Sequence, residues 1–175
     1  MTRQTVIAYW LIPSEPARSF FQQIINDFAR RYDAPSFEPH VTVYVGADRT
    51  DAAVKALGKA AVECTLVRQT TLGIDHSDEF IKTLFVRFAM SAALQKINDV
   101  IRKATNDSWQ CELKPHLSLL YKNLATATRT ELAASITVPF SEVSFDSFQA
   151  IRCVSPTRTS ADVDAWQLIA TTMLR

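Results

Sequence analysis

The sequence has almost no net charge and few of the residues that build metal or disulfide sites. Its 19 Lys and Arg face 18 Asp and Glu, a formal balance of +1, and the cations are scattered. Bulk capture of a long nucleic acid needs a strong basic face, so that function class is set aside. No apolar run approaches the ~20 residues that span a bilayer. No charged n-region followed by an apolar core and a small-residue cleavage site opens the chain, so a cytoplasmic location is expected and no membrane partner. The three cysteines, Cys64, Cys111 and Cys153, are widely spaced, odd in number and without a CxxC pair. They read as small buried hydrophobes. With only three histidines beside them, no metal site and no cofactor are expected.

What is present is an ordinary globular composition, 47% hydrophobic and 21% charged, over 175 residues. That length suits one domain. Residues 4–12 are β-branched and aromatic and stop at Pro13, the pattern of a strand. Ser14 is placed to cap the next element, with Pro16 in its first turn. Phe20, Phe21, Ile24, Ile25 and Phe28 recur at helical spacing and predict a helix over 15–32. A short strand over 40–45, a helix over 50–62, a strand over 65–74 and a loop over 75–79 follow. The order then repeats: strand 80–88, helix 91–105, strand 115–121, helix 126–136 and a strand over 143–154. A loop at 155–162 and a final strand at 163–173 finish the chain. Two β-α-β-α-β units, about 1–77 and 78–175, are expected to form one bilobal body with a groove between them.

The repeat is clearest where the two short strands open alike, as Pro39-His40-Val41-Thr42 and Pro115-His116-Leu117-Ser118. Residues i and i+2 of a strand share a face. His40 is therefore expected beside Thr42 and His116 beside Ser118. Val41, Val43, Val45, Leu117 and Leu119 are expected to turn toward the helices. A single His-x-Ser/Thr carries little information, because Ser and Thr are common. Two of three histidines sharing it, each behind a proline, carry much more. Opening a cyclic phosphate needs a base for water and an acid for the departing oxygen, acting from opposite sides of phosphorus. Histidine suits both roles, and two donors must hold the non-bridging oxygens. The paired motifs supply that set without a metal. His76, between Asp75 and Ser77, has no such company and reads as surface.

These motifs resemble those of the 2H phosphoesterase superfamily, and within it the cyclic phosphodiesterase-like proteins of plants and yeast. The resemblance runs through Trp10-Leu11-Ile12-Pro13, Phe37-Glu38-Pro39-His40-Val41-Thr42-Val43, Pro115-His116-Leu117-Ser118-Leu119-Leu120-Tyr121 and Ala165-Trp166-Gln167. It implies an α+β, duplicated bilobal fold, with two antiparallel sheets lining a central cleft and helices outside. It also implies hydrolysis of ADP-ribose 1'',2''-cyclic phosphate and of nucleoside 2',3'-cyclic phosphates, the latter to 2'-phosphates. By that resemblance His40 and His116 are catalytic, with His116 favoured as base and His40 as acid. Thr42 and Ser118 bind phosphate oxygens. Trp10 and Tyr121 line the nucleotide pocket, with Phe80 or a neighbour closing it and Lys82 offsetting the acidic stretch 75–79. Tyr121 lies on the wrong face by strict alternation and needs a bulge or an early strand end. Trp166 is left in the core. A small nucleotide as partner and a monomeric state are expected. An RNA 2',3'-cyclic phosphodiesterase or 2'-5' RNA ligase acting on RNA ends, and a non-catalytic nucleotide- or RNA-binding module, stay open beside this reading.

Overall fold

The computed structural model describes residues 2–107 and 112–174. Among these residues, seven strands and five helices follow in the order β1 (Gln4–Pro13), α1 (Ala17–Tyr32), β2 (Val41–Ala47), α2 (Thr50–Glu63), β3 (Val67–His76), β4 (Leu84–Phe88), α3 (Ala92–Thr105), β5 (His116–Leu120), α4 (Thr126–Ser135), β6 (Glu142–Ser155), α5 (Ser160–Asp164) and β7 (Gln167–Met173). All pairings are antiparallel. The architecture is α+β, as expected. The strands run β1-β2-β5-β4-β3-β6-β7, and β1 also pairs with β6, so six of them close into a hydrogen-bonded ring. The two expected sheets are thus joined into one surface, with the β2–β5 seam held at the single pair Val41↔Leu117.

Exchanging β1 with β4, β2 with β5 and β3 with β6 maps this set of pairings onto itself. The third strand of each β-α-β-α-β run pairs with the first strand of the other. One face of the sheet buries Ile7, Tyr9, Leu11, Val41, Val43 and Leu117 against the helices. Phe21, Ile25 and Phe28 on α1, at i, i+4 and i+7, supply the apolar stripe that meets it. The other face carries a smaller cluster, Ala8, Trp10, Ile12 and Ile151. No helix among the described residues is long and apolar enough to cross a membrane.

Several local expectations are corrected. Ser14 does not cap α1; its hydroxyl donates to the Ser144 carbonyl at 3.1 Å, and the Glu15 carboxylate accepts from Ser19 N–H at 3.1 Å. Residues 80–88 are not one strand, because Phe80–Lys82 forms a 3-10 turn. Thr83 fixes it, donating to the Lys122 carbonyl at 2.6 Å and accepting from Lys122 N–H at 3.0 Å. Asp75 and His76 belong to β3, paired with Phe85 and Leu84, rather than to a loop. The last strand starts later than expected, since a capping box between Thr159 and Asp162 starts the short α5. β2 runs past the expected end at residue 45, through Gly46 to Ala47.

Two glycines give opposite expectations. A Cβ at Gly46 would lie 2.8 Å from the Asp107 Oδ2 that accepts from Ala47 N–H. Gly46→Ala should therefore cost about 1–3 kcal/mol in urea denaturation, through the displaced carboxylate. Gly58, inside α2 with open space around it, should gain about 0.5–1 kcal/mol as Ala. Equal and small effects at both positions would contradict the packing at Gly46.

Candidate active site

Both histidines sit at strand entries, and the same local bond fixes each. His40 Nδ1 lies 2.6 Å from the Glu38 carbonyl, and His116 Nδ1 lies 2.7 Å from the Lys114 carbonyl. A carbonyl only accepts, so each Nδ1 carries the proton and each Nε2 is left for chemistry. Both rings border one cavity of about 270 Å³, together with Thr42, Ser118, Trp10 and Tyr121. The structure thus brings together six of the eight residues singled out in the sequence. Phe80 and Lys82 are outside this wall. Because 80–82 is a turn, Ile81 rather than Phe80 lines the cavity, while Phe80 packs against Tyr121 at 6.1 Å between ring centroids. Lys82 instead holds its ammonium 4.7 Å over the Phe85 ring.

Two bulges set which side chains face the cavity. Tyr9 pairs with Tyr44 but Trp10 pairs with Thr42, which leaves Val43 as an extra residue on β2. Leu84 pairs with Leu120 but Phe85 with Ser118, which leaves Leu119 as the extra residue on β5. A bulge resets the alternation of faces. Val41 and Val43 are buried toward the helices as expected, but Val45 is not, and lines the cavity. By the same shift, and just past the end of β5, Tyr121 reaches the cavity. It stacks on Phe37 at 3.9 Å and 11°.

The two imidazoles differ in their surroundings. Trp10 stacks on His40 at 3.6 Å and 11°, and His40 is only 7% exposed. This burial, opposed by the Glu38 carbonyl and reinforced by nearby His116, pushes the His40 pKa down to about 4. The strand partner of Ser118 is Phe85, which meets His116 only edge-on at 5.5 Å. His116 is half-buried; burial lowers its pKa as well, with the Lys114 carbonyl opposing, Lys82 lowering it further and Glu79 raising it. The Ser118 hydroxyl donates to the Ile81 carbonyl at 2.8 Å.

Sequence reasoning left Trp166 in the core, yet it is half-buried and lines the cavity. It stands edge-on to Trp10 at 5.1 Å, and its indole N–H is buried without a partner among the described residues. Its position after α5 rather than within a strand is what brings it there. Cys64 is buried as expected. Cys153 is half-buried in the cavity wall, its thiol pushed up to about 11 by burial, and so remains protonated at neutral pH. Cys111 lies outside the described residues. His76 is half-buried rather than fully exposed, its Nε2 3.3 Å from the Thr130 hydroxyl. Asp75, from the acidic stretch, is paired with Arg87 at 3.6 Å.

The family model described as cyclic phosphodiesterase-like protein matches residues 5–174. The chain belongs to this family. As a cyclic phosphodiesterase-like protein it is 23% identical over 174 residues to the cyclic phosphodiesterase of Arabidopsis thaliana, covering 96% of this chain and 94% of that protein. Its fold matches a Thermus thermophilus protein of known structure with a TM-score of 0.63 at 14% identity, over 97% of this chain and 98% of the other. Escherichia coli LigT complexed with 3'-AMP matches with a TM-score of 0.54 at 12% identity, over 97% and 98% of the two chains. The fold is that of the 2H phosphoesterases.

Removing the ring over His40 tests what holds its proton affinity down. In Trp10→Leu the His40 pKa should rise from about 4 toward the ordinary 6.5, read from imidazole shifts in an NMR titration. Below 6.5 the unfolded chain takes up this proton first, so stability should fall as pH drops from 6.5 to about 4. His40→Asn should flatten that slope. An unmoved titration in Trp10→Leu would show that another group excludes water from the ring.

Proposed function

We propose that the protein opens cyclic phosphodiesters of nucleotides by metal-independent acid–base catalysis between His40 and His116. The substrates are ADP-ribose 1'',2''-cyclic phosphate and nucleoside 2',3'-cyclic phosphates, the latter giving 2'-phosphates. The observation that carries this reading is the pair of imidazoles in one cavity, each tied through Nδ1 and each beside a hydroxyl residue. Family membership and the Arabidopsis relative's name support it. A cavity of about 270 Å³ is near the small end of ligand sites, which suits a mononucleotide-sized ligand.

In the reaction, one neutral Nε2 takes a proton from water as its oxygen bonds to phosphorus. The other imidazole donates its Nε2 proton to the 3' oxygen as the P–O3' bond breaks. His40 is the harder of the two to charge, lying beneath Trp10, whereas His116 is half-buried beside Glu79. That supports His40 as base and His116 as acid, the reverse of the order expected from the sequence. Thr42 and Ser118 hold the non-bridging oxygens; Ser118 does so after its hydroxyl turns from the Ile81 carbonyl. Trp10, Tyr121 and Trp166 offer aromatic walls to the base.

With 2',3'-cyclic AMP in EDTA, phosphorus NMR should show 2'-AMP, and a requirement for added divalent metal would overturn the mechanism. His40→Ala and His116→Ala should each lose about 10²–10⁴ in rate. An ester with a 4-nitrophenolate leaving group needs no acid, so it should restore His116→Ala more than His40→Ala. The opposite order would exchange the two roles.

The pH dependence follows from the two lowered pKa values. A bell-shaped kcat/KM profile is expected with its optimum on the acid side of 6.5, since both free imidazoles titrate below that value. A bound phosphate anion favours protonation of both rings, so the kcat profile should lie at higher pH. A kcat/KM optimum above neutrality would contradict the burial of the rings.

A further inference from the structure

The segment that delivers His40 to β2, residues 34–40, has no regular secondary structure and is held by side chains from elsewhere in the fold. Gln22 on α1 donates to the Phe37 carbonyl at 3.0 Å, and the Phe37 ring lies on Tyr121. Glu38 comes next. Its carbonyl accepts from His40 Nδ1 at 2.6 Å, while its carboxylate accepts from Gln149 Nε2 at 2.9 Å and pairs with Arg18. The Arg18 side chain is 48% exposed, so water screens that ion pair. Gln149 sits half-buried on β6 and is the firmer anchor. It is also the strand partner of Trp10, the ring that stacks on His40.

Pro39 restricts Glu38 to extended backbone, but that region is still about 40° wide in ψ. A rotation of that size carries the carbonyl out of line with Nδ1, and a hydrogen bond weakens as it bends. A second restraint on Glu38 therefore decides how well the imidazole is held. The other histidine is framed differently: the side chain equivalent to Glu38 is Lys114, which is exposed and pairs with its own neighbour Glu112 at 2.9 Å. We propose that Gln149 is a positioning residue for catalysis: by holding Glu38 from β6, it keeps the His40 proton on Nδ1 and leaves Nε2 as the base. The assignment rests on the acid–base reading of His40 and His116, and adds to it a residue outside the cavity wall.

Long-range proton–nitrogen NMR on protein with nitrogen-15 histidine reads which ring nitrogen carries the proton, with no substrate present. At neutral pH, where His40 is uncharged, Gln149→Leu should mix its two tautomers and leave the His116 nitrogens unchanged. With 2',3'-cyclic AMP, kcat should fall about tenfold while KM stays within about twofold. Gln149→Glu sets two carboxylates together and should do the same. Adding Glu38→Gln to it restores an amide–carboxylate bond with donor and acceptor exchanged, and should return both readouts. Unmoved His40 nitrogens in Gln149→Leu, an equal shift of His116, or no recovery in the exchanged pair would each overturn the proposal. If Gln149→Leu does not fold, Gln149→Thr, suited to a strand and too short to reach Glu38, takes its place. Turnover of 2',3'-cyclic AMP by the unmutated protein tests the acid–base reading separately, because the tautomer is read without it.

Discussion

Each imidazole is held by a hydrogen bond from Nδ1 to the carbonyl two residues earlier, at 2.6 Å for His40 and 2.7 Å for His116. The residue in between is proline both times. Proline fixes its own φ and drives the preceding residue into extended backbone, which holds the Glu38 and Lys114 carbonyls in place. It also has no N–H to compete for them. The bond sets the tautomer, and with it which nitrogen is free to move protons. Everything proposed for the site depends on that choice, because an imidazole free to flip could present either nitrogen. Glu38 is further anchored, its carboxylate accepting from Gln149 at 2.9 Å and pairing with Arg18.

The next constraint is the seam between β2 and β5. One residue pair, Val41↔Leu117, joins them, and these are the residues that directly follow the two histidines. Burial of both side chains toward the helices turns His40, Thr42, His116 and Ser118 to the opposite face. The hydrophobic core and the candidate site are therefore two sides of the same short strands. A slip of one residue in either strand would turn a histidine into the core and a valine or leucine onto the cavity face.

Much of this was legible in the sequence, because strand alternation is a local rule. It placed His40, Thr42, His116 and Ser118 together and sent Val41, Val43, Leu117 and Leu119 to the core. It failed at Val45, where the extra residue Val43 resets the faces. A bulge is a property of the pairing between two strands, and neither strand alone announces it. The same bulge in β5 rescues Tyr121, whose placement the resemblance implied and alternation opposed. Trp166 was missed for a related reason. A β-rich run was read through 163–173, whereas the Thr159–Asp162 capping box starts a short helix and puts Trp166 in the turn after it. Phe80 and Lys82 were misplaced because Thr83, bonded to Lys122, 39 residues away, bends the chain into a turn.

Duplication gives the two histidines the same backbone frame, and a shared frame alone would give them the same proton affinity. The side chains added to that frame break the equivalence. At the β1 position facing Thr42 stands Trp10, broad enough to cover His40; at the β4 position facing Ser118 stands Phe85, which meets His116 only by its edge. The same Phe85 ring carries Lys82, which lowers the proton affinity of His116 and works against this difference, while Glu79 raises it. An acid and a base are useful as a pair only when they differ in charge at the same pH. The two histidines take their difference in burial from which aromatic residue occupies one position on each of two equivalent strands, and the proposed acid–base pairing rests on it.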